Sequence, residues 1–377
     1  MAAYLDNAST TPVAPEVRTA MDAALTDAYF NPSAIYPDGR AVRAALEAAR
    51  ATVANVIGAN TGELVFTSGG TEANNTAIKG TAFAHGPGHI VTTATEHHSV
   101  LSSCEWLSRH GFTLTVLPVD STGCVSPETL KNAIRPDTFL VSCMWVNNET
   151  GTVNPVRELA CIAHAHGAVF HTDAVQALPT EEIDLKAVKA DLLSISAHKI
   201  YGPKGCGALY IRKEITLEPL IHGGQQENFK RGGTEATPSI LGFGKAAELL
   251  SSSRVQRANH VRALREEMLR ELSGIPDMRI NSPADGAVSI LNIGFARVQA
   301  EAIVLLLDRS GICASMGAAC NSQSLEPSPV LTAMRVPEEF LHGSIRFSFG
   351  QYNTPAQIDE AAQAVRRIVA LQRSRGD

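Results

Sequence analysis

The chain has 377 residues, 44% of them apolar and 19% charged, with a mean hydropathy near zero, which is the composition of a folded protein with a substantial core and excludes a disordered chain. Its formal net charge of −6, with no dense Lys/Arg cluster, argues against nucleic acid as a partner. Apolar runs such as Ala302–Leu307 fall far short of the ~20 residues needed to cross a bilayer. Met1–Pro12 carries Asp6, Asn7 and several Thr where a signal peptide has a basic and then an apolar block, so a cytoplasmic protein with no membrane partner is expected.

The length exceeds that of a usual single domain, and a large domain with a smaller companion is the expected plan. The segment up to about Arg18 reads as an arm that packs with the small domain. From 19 to 240 short β-rich runs alternate with helical patterns. The runs are Glu63–Phe66, His89–Thr92, Thr113–Val116, Phe139–Ser142, Ala168–His171, Leu192–Ile195 and Gly207–Ile211, with helical stretches Glu72–Ala84, Ser99–Arg109 and Val156–His166 among them. Nearly all-apolar strands separated by helices predict an α/β domain whose mostly parallel sheet is covered on both faces. Ligands of such sheets bind at the carboxyl ends of the strands. From 241 to 377 the pattern is that of a smaller α+β domain. It opens within a long helix from about Ser239 to Leu272, has strands near Val288–Asn292 and at Ser344–Ser348, and closes with the helix Ala356–Arg373.

There are seven cysteines, an odd number with no C-x-x-C pair, which suits a reducing compartment. Cys143 and Cys206 have apolar neighbours and read as small core residues. Cys320 differs: it lies in the polar stretch Ala318–Ser328, where a thiol is reachable. An unpaired loop thiol is more often inert than catalytic, so its location alone assigns no role.

Three strand ends carry residues suited to chemistry. Ser68-Gly69-Gly70-Thr71-Glu72-Ala73 follows a strand and opens a helix, which makes either a phosphate seat on free backbone N–H groups or an ordinary turn capped by Thr71. Asp173 just past the run Ala168–His171, with Gln176 after it, suits a protonated ring nitrogen, or else a helix N-cap. Ser196-Ala197-His198-Lys199, followed by Gly202-Pro203-Lys204-Gly205, offers a lysine able to form a Schiff base with a carbonyl cofactor while the hydroxyl and imidazole hold its phosphate. A lone loop lysine is usually only solvated; the three features in this order along one sheet are far less common by chance.

With these in place the whole chain resembles the class V aminotransferase group of fold-type-I pyridoxal-phosphate enzymes, and within it the cysteine desulfurases. The matching stretches are Tyr4–Asn7, Thr67–Glu72, Thr95–His97, Val146–Gly151, Phe170–Gln176, Ser194–Lys199, Gly202–Gly205, His222–Gly224, Arg231–Thr234, Gly317–Ser328 and His342–Ser348. The resemblance implies that Lys199 carries pyridoxal 5'-phosphate, that Asp173 binds the pyridine nitrogen, and that Gln176 and Asn148 meet the ring-hydroxyl side. His97 stacks on the ring and moves protons. Gly70, Thr71, Ser196 and His198 hold the phosphate, joined by the partner subunit's Thr234, so a homodimer is implied. Arg346, with Asn148, takes the substrate carboxylate, a task suited to a planar guanidinium.

In the family the cysteine at position 320 is the nucleophile. The implied reaction converts L-cysteine to L-alanine and leaves a persulfide on Cys320, which an iron–sulfur scaffold or other sulfur acceptor collects. No resident metal is implied, and Cys320 is the residue expected to meet a transferred iron–sulfur cluster. Ala318, Pro329 and the stretch Gln225–Lys230 depart from the family pattern and bear on acceptor choice and loop behaviour. The long segment between Cys320 and His342 matches the housekeeping and nitrogen-fixation types, and Tyr4–Asn7 with Leu341–Arg346 leans to the latter. The rival readings are a selenocysteine lyase or other class V aminotransferase, which would not need Cys320 to turn over cysteine, and a non-enzymatic scaffold for iron–sulfur assembly. Retention of Lys199, His97, Arg346 and Cys320 together speaks against the last.

Overall fold

The computed structural model describes residues 3–317 and 327–374. Among the described residues twelve strands fall into three sheets: β1 (Ala3–Tyr4), β2 (Leu64–Thr67), β3 (His89–Thr93), β4 (Thr113–Leu117), β5 (Thr138–Ser142), β6 (Val169–Asp173), β7 (Leu192–Ser196), β8 (Gly207–Ile211), β9 (Met278–Ile280), β10 (Ile290–Phe295), β11 (Ile312–Cys313) and β12 (Ser344–Ser348). The seven runs expected between residues 60 and 215 are β2 to β8, and they form one sheet in the order β2-β8-β7-β6-β5-β3-β4. Its pairings are parallel except for those of β8, which runs antiparallel to both β2 and β7.

Why most residues of these runs are apolar is visible in how their side chains divide. Along β2, Leu64 and Phe66 enter one core while Val65 enters another, and Leu192/Leu193, Leu140/Val141 and Ala208/Leu209 split the same way. Successive strand residues point to opposite faces, so a sheet covered on both sides needs apolar residues at every position. Helices Gly70–His85 and His98–Ser108 cover one face; Pro37–Ile57, Val156–Ala165 and the first half of Thr237–Leu272 cover the other.

A second core is built on the antiparallel sheet β12-β10-β9, the short parallel pair β1-β11, and helices Ala300–Arg309 and Pro355–Arg373. Helix Thr237–Leu272 belongs to both cores: Ile240 to Leu250 pack in the first and Val261 to Leu272 in the second. The strand expected at Val288–Asn292 lies instead at Ile290–Phe295. It can run through the polar Asn292 because Asn281 Nδ2 donates to Asn292 Oδ1 (2.9 Å) and the Asn292 N–H donates to Ser282 Oγ (2.8 Å), so burial leaves neither group unpaired. Among the described residues, no helix is long and apolar enough to cross a membrane.

Two buried carboxyls tie distant segments to the large sheet. Glu227 takes Arg50 Nη1 and Nη2 at 2.6 and 2.8 Å and the Phe66 N–H at 2.9 Å. It does so from a left-handed backbone turn, with φ of 48°, 54° and 64° at Glu227, Asn228 and Phe229, a conformation non-glycine residues adopt only when their surroundings hold them. Glu96 is wholly buried; its Oε1 accepts from the Met144 N–H (2.7 Å) and Thr93 Oγ1 (2.9 Å), joining the ends of β3 and β5.

Glu227→Ala strands the Arg50 guanidinium, and such a loss costs about 3–5 kcal/mol; urea unfolding is expected to show it, with Glu227→Gln costing less. For Glu96, burial pushes the carboxyl from 4.5 up to about 8. Across that window the folded protein keeps a proton that the unfolded chain releases, so stability falls as pH rises. Thermal melts of Glu96→Gln against wild type should therefore diverge in the variant's favour between pH 5 and pH 8 and run parallel below the lower limit; a constant difference throughout would refute the buried, protonated acid.

Candidate active site

The carboxyl ends of β5, β6 and β7 open into a cavity of about 350 Å³, a volume suited to a small organic ligand. Its lining includes Gly70, Thr71, His97, Asn148, Asp173, Gln176, Ser196, His198, Lys199 and Arg346, so ten of the residues singled out in the sequence meet at one place. Thr234 is exposed and does not line it, and Cys320 lies outside the described residues. Gly317, Pro329 and Val330, on either side of the Cys320 segment, line the cavity as well.

One end of the cavity is built for an anion. Helix Gly70–His85 begins with Gly69 at φ 151° and has no side-chain cap, so the N–H groups of its first turn are left for a ligand. A Cβ at Gly70 would stand 2.8 Å from Val175 Cγ2, and glycine lets that turn sit against the loop after β6. Ser196 ends β7 and is buried, and His198 follows it. Burial, and then the charges of Lys199 and Lys204, push the His198 imidazole down to about 4, so it is a neutral hydrogen-bonding group at pH 7. Its Nδ1 lies 3.1 Å from Thr10 Oγ1.

Asp173 also lines the cavity. It is the last residue of β6, 5% exposed, and does not cap a helix. Its Oδ1 accepts from the Val175 N–H (2.9 Å) and its Oδ2 from Asn74 Nδ2 (2.7 Å). The second hydrogen of Asn74 Nδ2 goes to Ser99 Oγ (2.9 Å), which is 2.7 Å from His97 Nδ1. The Ser99 N–H also donates to Nδ1 (3.1 Å). An Nδ1 that accepts from both leaves the ring proton on Nε2, and burial holds the imidazole below its usual pKa against the opposing pull of Asp173. Asn74 and Ser99 thus join the carboxylate to the imidazole through a four-residue chain of hydrogen bonds. Neither residue stands out in the sequence, where the Asn is one of an adjacent Asn74-Asn75 pair and the Ser one of many.

Lys199 sits in the single turn Ala197–Lys199 after β7. Its Nζ donates to the Ser9 carbonyl at 2.8 Å and to the Ala8 carbonyl, which also accepts from Gln176 Nε2 at 2.7 Å. The N-terminal segment therefore forms a wall of the site, an arrangement the sequence reading did not anticipate. Arg346, in the middle of β12, is 1% exposed. Its Nη1 donates to the carbonyls of Asn148 (2.8 Å) and Gly317 (3.4 Å), and its Nη2 to Asp6 Oδ1 (2.7 Å) and Ser9 Oγ (2.6 Å). Buried Nε has no partner among the described residues.

Glu149 was also unmarked in the sequence. It is buried, which pushes its carboxyl up. Its Oε2 accepts from Ser328 Oγ at 2.6 Å, and a Cβ at Gly317 (φ 93°) would come within 2.9 Å of the same oxygen, so one carboxyl holds the chain just after the Cys320 segment and packs closely against Gly317 before it. In chemical terms the cavity offers an anion seat, a buried carboxylate facing it, an imidazole, an amine and a guanidinium. That set suits a phosphorylated, planar cationic ring and an amino-acid substrate.

Comparisons with known proteins agree with this geometry. Residues 3–361 match the family model described as aminotransferase class-V. A protein named cysteine desulfurase IscS from Methanosarcina thermophila is 47% identical over 371 residues, covering 98% of this chain and 92% of its own. Among solved structures, one named NifS-like protein superposes with a TM-score of 0.93 at 34% identity, covering 98% of this chain and 100% of the other. Another, described as SspA in complex with cysteine, gives 0.83 at 36% identity, covering 93% and 100%. With the parallel sheet, the cavity at its strand ends and a family match along nearly its full length, the chain belongs to the class V aminotransferases, whose fold is that of the fold-type-I pyridoxal-phosphate enzymes.

Proposed function

We infer that the protein is a cysteine desulfurase: it takes the sulfur of L-cysteine onto Cys320 and releases L-alanine, with pyridoxal 5'-phosphate as cofactor. The observation that carries this reading is the meeting of Lys199, Asp173, His97 and Arg346 around one cavity that Gly317 and Pro329 also line, together with relatives bearing that name across almost the whole chain.

The residues fit the cofactor. Its phosphate belongs on the uncapped helix start at Gly70 and Thr71, with Ser196 and His198 beside it. Asp173, held as an acceptor by Asn74 and the Val175 N–H, suits a protonated pyridine nitrogen. Gln176, Asn148 and His97 line the same cavity and would meet the ring. When bound, pyridoxal phosphate supplies an aldehyde that captures amines and a ring that draws electrons from the substrate α-carbon.

Lys199 Nζ would hold the cofactor, and the same amine is the base that would take the substrate α-proton. Arg346 and Asn148 would fix the substrate carboxylate. His97, neutral with its hydrogen on Nε2, would present that N–H as a hydrogen-bond donor to the reacting groups, oriented by Ser99 on Nδ1. Cys320 Sγ attacks the substrate sulfur as thiolate: the S–S bond forms, the substrate C–S bond breaks, and the carbon takes a proton to become the methyl of L-alanine. The outer sulfur of the persulfide then passes to a nucleophile of a sulfur-acceptor or iron–sulfur scaffold protein, breaking the S–S bond and returning Cys320 as thiolate.

A homodimer is part of this reading. Thr234 is exposed on the segment anchored by Glu227, and Tyr29, Ile35 and Phe229 are 71%, 89% and 65% exposed around a groove lined by Pro32, Ser33, Gln226 and Asn228. Such surface suits burial against a second copy, bringing the partner subunit's Thr234 to the phosphate. A cytoplasmic setting fits the odd number of cysteines.

Purified protein given L-cysteine should release alanine in step with sulfide when a thiol reductant is present. Cys320→Ala should keep the cofactor's visible band and lose at least about a hundredfold in both products; Lys199→Ala should lose turnover and change the band. Full cysteine turnover in Cys320→Ala would favour a lyase or aminotransferase, and a wild-type protein that binds no cofactor would overturn the reading.

A further inference from the structure

The start of helix Gly70–His85 is under two opposed electrostatic demands. Its first-turn N–H groups and the positive end of its dipole suit a phosphate. Its third residue, however, is Glu72, and a carboxylate in the first turn competes for the same positive end. Glu72 is 9% exposed and does not line the cavity, whereas Gly70, Thr71 and Asn74 around it do, so its charge sits behind the anion seat. Its Oε2 accepts from the Ser68 N–H at 2.9 Å and its Oε1 from Arg231 Nε at 3.0 Å, with Arg231 Nη2 3.5 Å from Oε2. Burial alone would push this carboxyl up, but the bonds from Arg231 and Ser68 outweigh it and hold the group below the usual carboxylate range. The seat is therefore backed by a full negative charge.

The turn before the helix has other supports for its shape. Thr67 Oγ1 donates to the Gly69 carbonyl (3.0 Å) and accepts from the Gly69 N–H (3.4 Å). A Cβ at Gly207 would stand 2.7 Å from Gly69 Cα, so β8 backs directly onto the turn. Arg231 arrives from a segment with anchors of its own. A Cβ at Gly232 would stand 2.6 Å from Gly223 Cα, which packs the two backbones together, and Glu227 ties the segment to the Phe66 N–H. Arg231 Nη1 also donates to the Gly232 carbonyl (3.1 Å). Among the described residues Arg231 is the one ion-pair partner of Glu72. Its distinctive contribution at the turn is thus a positive charge.

We propose that Arg231 is a positioning residue that sets the site's preference for a phosphorylated cofactor: by ion-pairing Glu72 it cancels the negative charge behind the anion seat, and the N–H groups of Gly70 and Thr71 then meet the phosphate with the helix's positive end unopposed. The proposal rests on the reading of that helix start as the phosphate seat. Arg231 does not itself line the cavity and acts through Glu72. Because Thr234 lies three residues further on, the test has to separate the charge of Arg231 from the placement of that segment.

Full-length protein freed of cofactor is titrated with pyridoxal 5'-phosphate and with pyridoxal, which differ by the phosphate and share the aldehyde. Absorbance titrations give two dissociation constants and hence the preference for the phosphorylated form. In Arg231→Gln that preference should fall by about fivefold or more, the scale of one charge at a helix end, with pyridoxal affinity as in wild type. Glu72→Gln should raise it by about twofold or more, since the seat then gains net positive charge. Combining the two substitutions should bring it back to within about twofold of wild type. An unchanged preference in Arg231→Gln would overturn the proposal. So would a fall in Glu72→Gln, or a double variant as low as Arg231→Gln, because the pair would then act through the shape of the turn or the placement of Thr234. If Arg231→Gln proves too unstable to study, Glu72→Gln and the double variant carry the test, since neither leaves a buried carboxylate unpaired; no rise in the first, or a low value in the second, would count against the proposal. Thr71→Asp separates the two levels by adding a carboxylate at an exposed residue that lines the cavity. If it leaves the preference unchanged, the phosphate seat is elsewhere and the role of Arg231 falls with it; if it lowers the preference while Arg231→Gln does not, only the role of Arg231 is rejected.

Discussion

A full positive charge inside a protein has to be surrounded by acceptors, and Arg346 imposes that demand on the fold. With 1% of its surface exposed, its guanidinium needs oxygens that its own strand cannot supply. They come from the N-terminal arm, from the loop after β5, and from Gly317 at the edge of the second core. Meeting that demand brings three segments that are hundreds of residues apart to one wall of the cavity. The arm then does a second job there, since the carbonyls of Ala8 and Ser9 receive the amine of Lys199. The positions of the residues proposed to bind substrate and cofactor are thus set in part by compensation of one buried cation.

Buried carboxyls do comparable work elsewhere. Glu96 joins the ends of β3 and β5 next to His97, Glu149 holds Ser328 just after the Cys320 segment, and Glu227 fixes the turn that precedes Thr234. Each sits where a loop leaves the sheet and its N–H groups or hydroxyls would otherwise be unpaired. Glu96 and Glu149 are pushed up by burial, whereas Glu227 is matched by a guanidinium. The first two suit neutral donors and acceptors, and the third suits an ion pair.

Much of this was legible in the sequence, for identifiable reasons. Strands β2 to β8 could be read because a sheet covered on both faces leaves long apolar runs between helical periods. Asp173, Lys199 and the Gly69-Gly70 turn could be read because strand ends of a parallel sheet are where such residues meet. The antiparallel β8 was not legible, since an apolar run carries no direction. Strand β10 was displaced in the reading because Asn292 looks like a strand end until Asn281 and Ser282 are seen to satisfy it. Asp6, Ser9, Asn74, Ser99 and Glu149 were assigned no role, and their importance lies in single hydrogen bonds to residues far away in the chain. No period, composition or local spacing announces a bond between position 6 and position 346.

The 36-residue helix Thr237–Leu272 runs for about 54 Å through both cores, and the cavity is lined from the elements on either side of it. A helix of that length resists bending, so it works as a shared beam. The two halves of the cavity cannot separate by a simple hinge there without breaking backbone hydrogen bonds in the beam itself. Access for a ligand is thereby steered towards small rearrangements at the rim, and mechanical stiffness becomes part of how the site keeps its shape through repeated turnover.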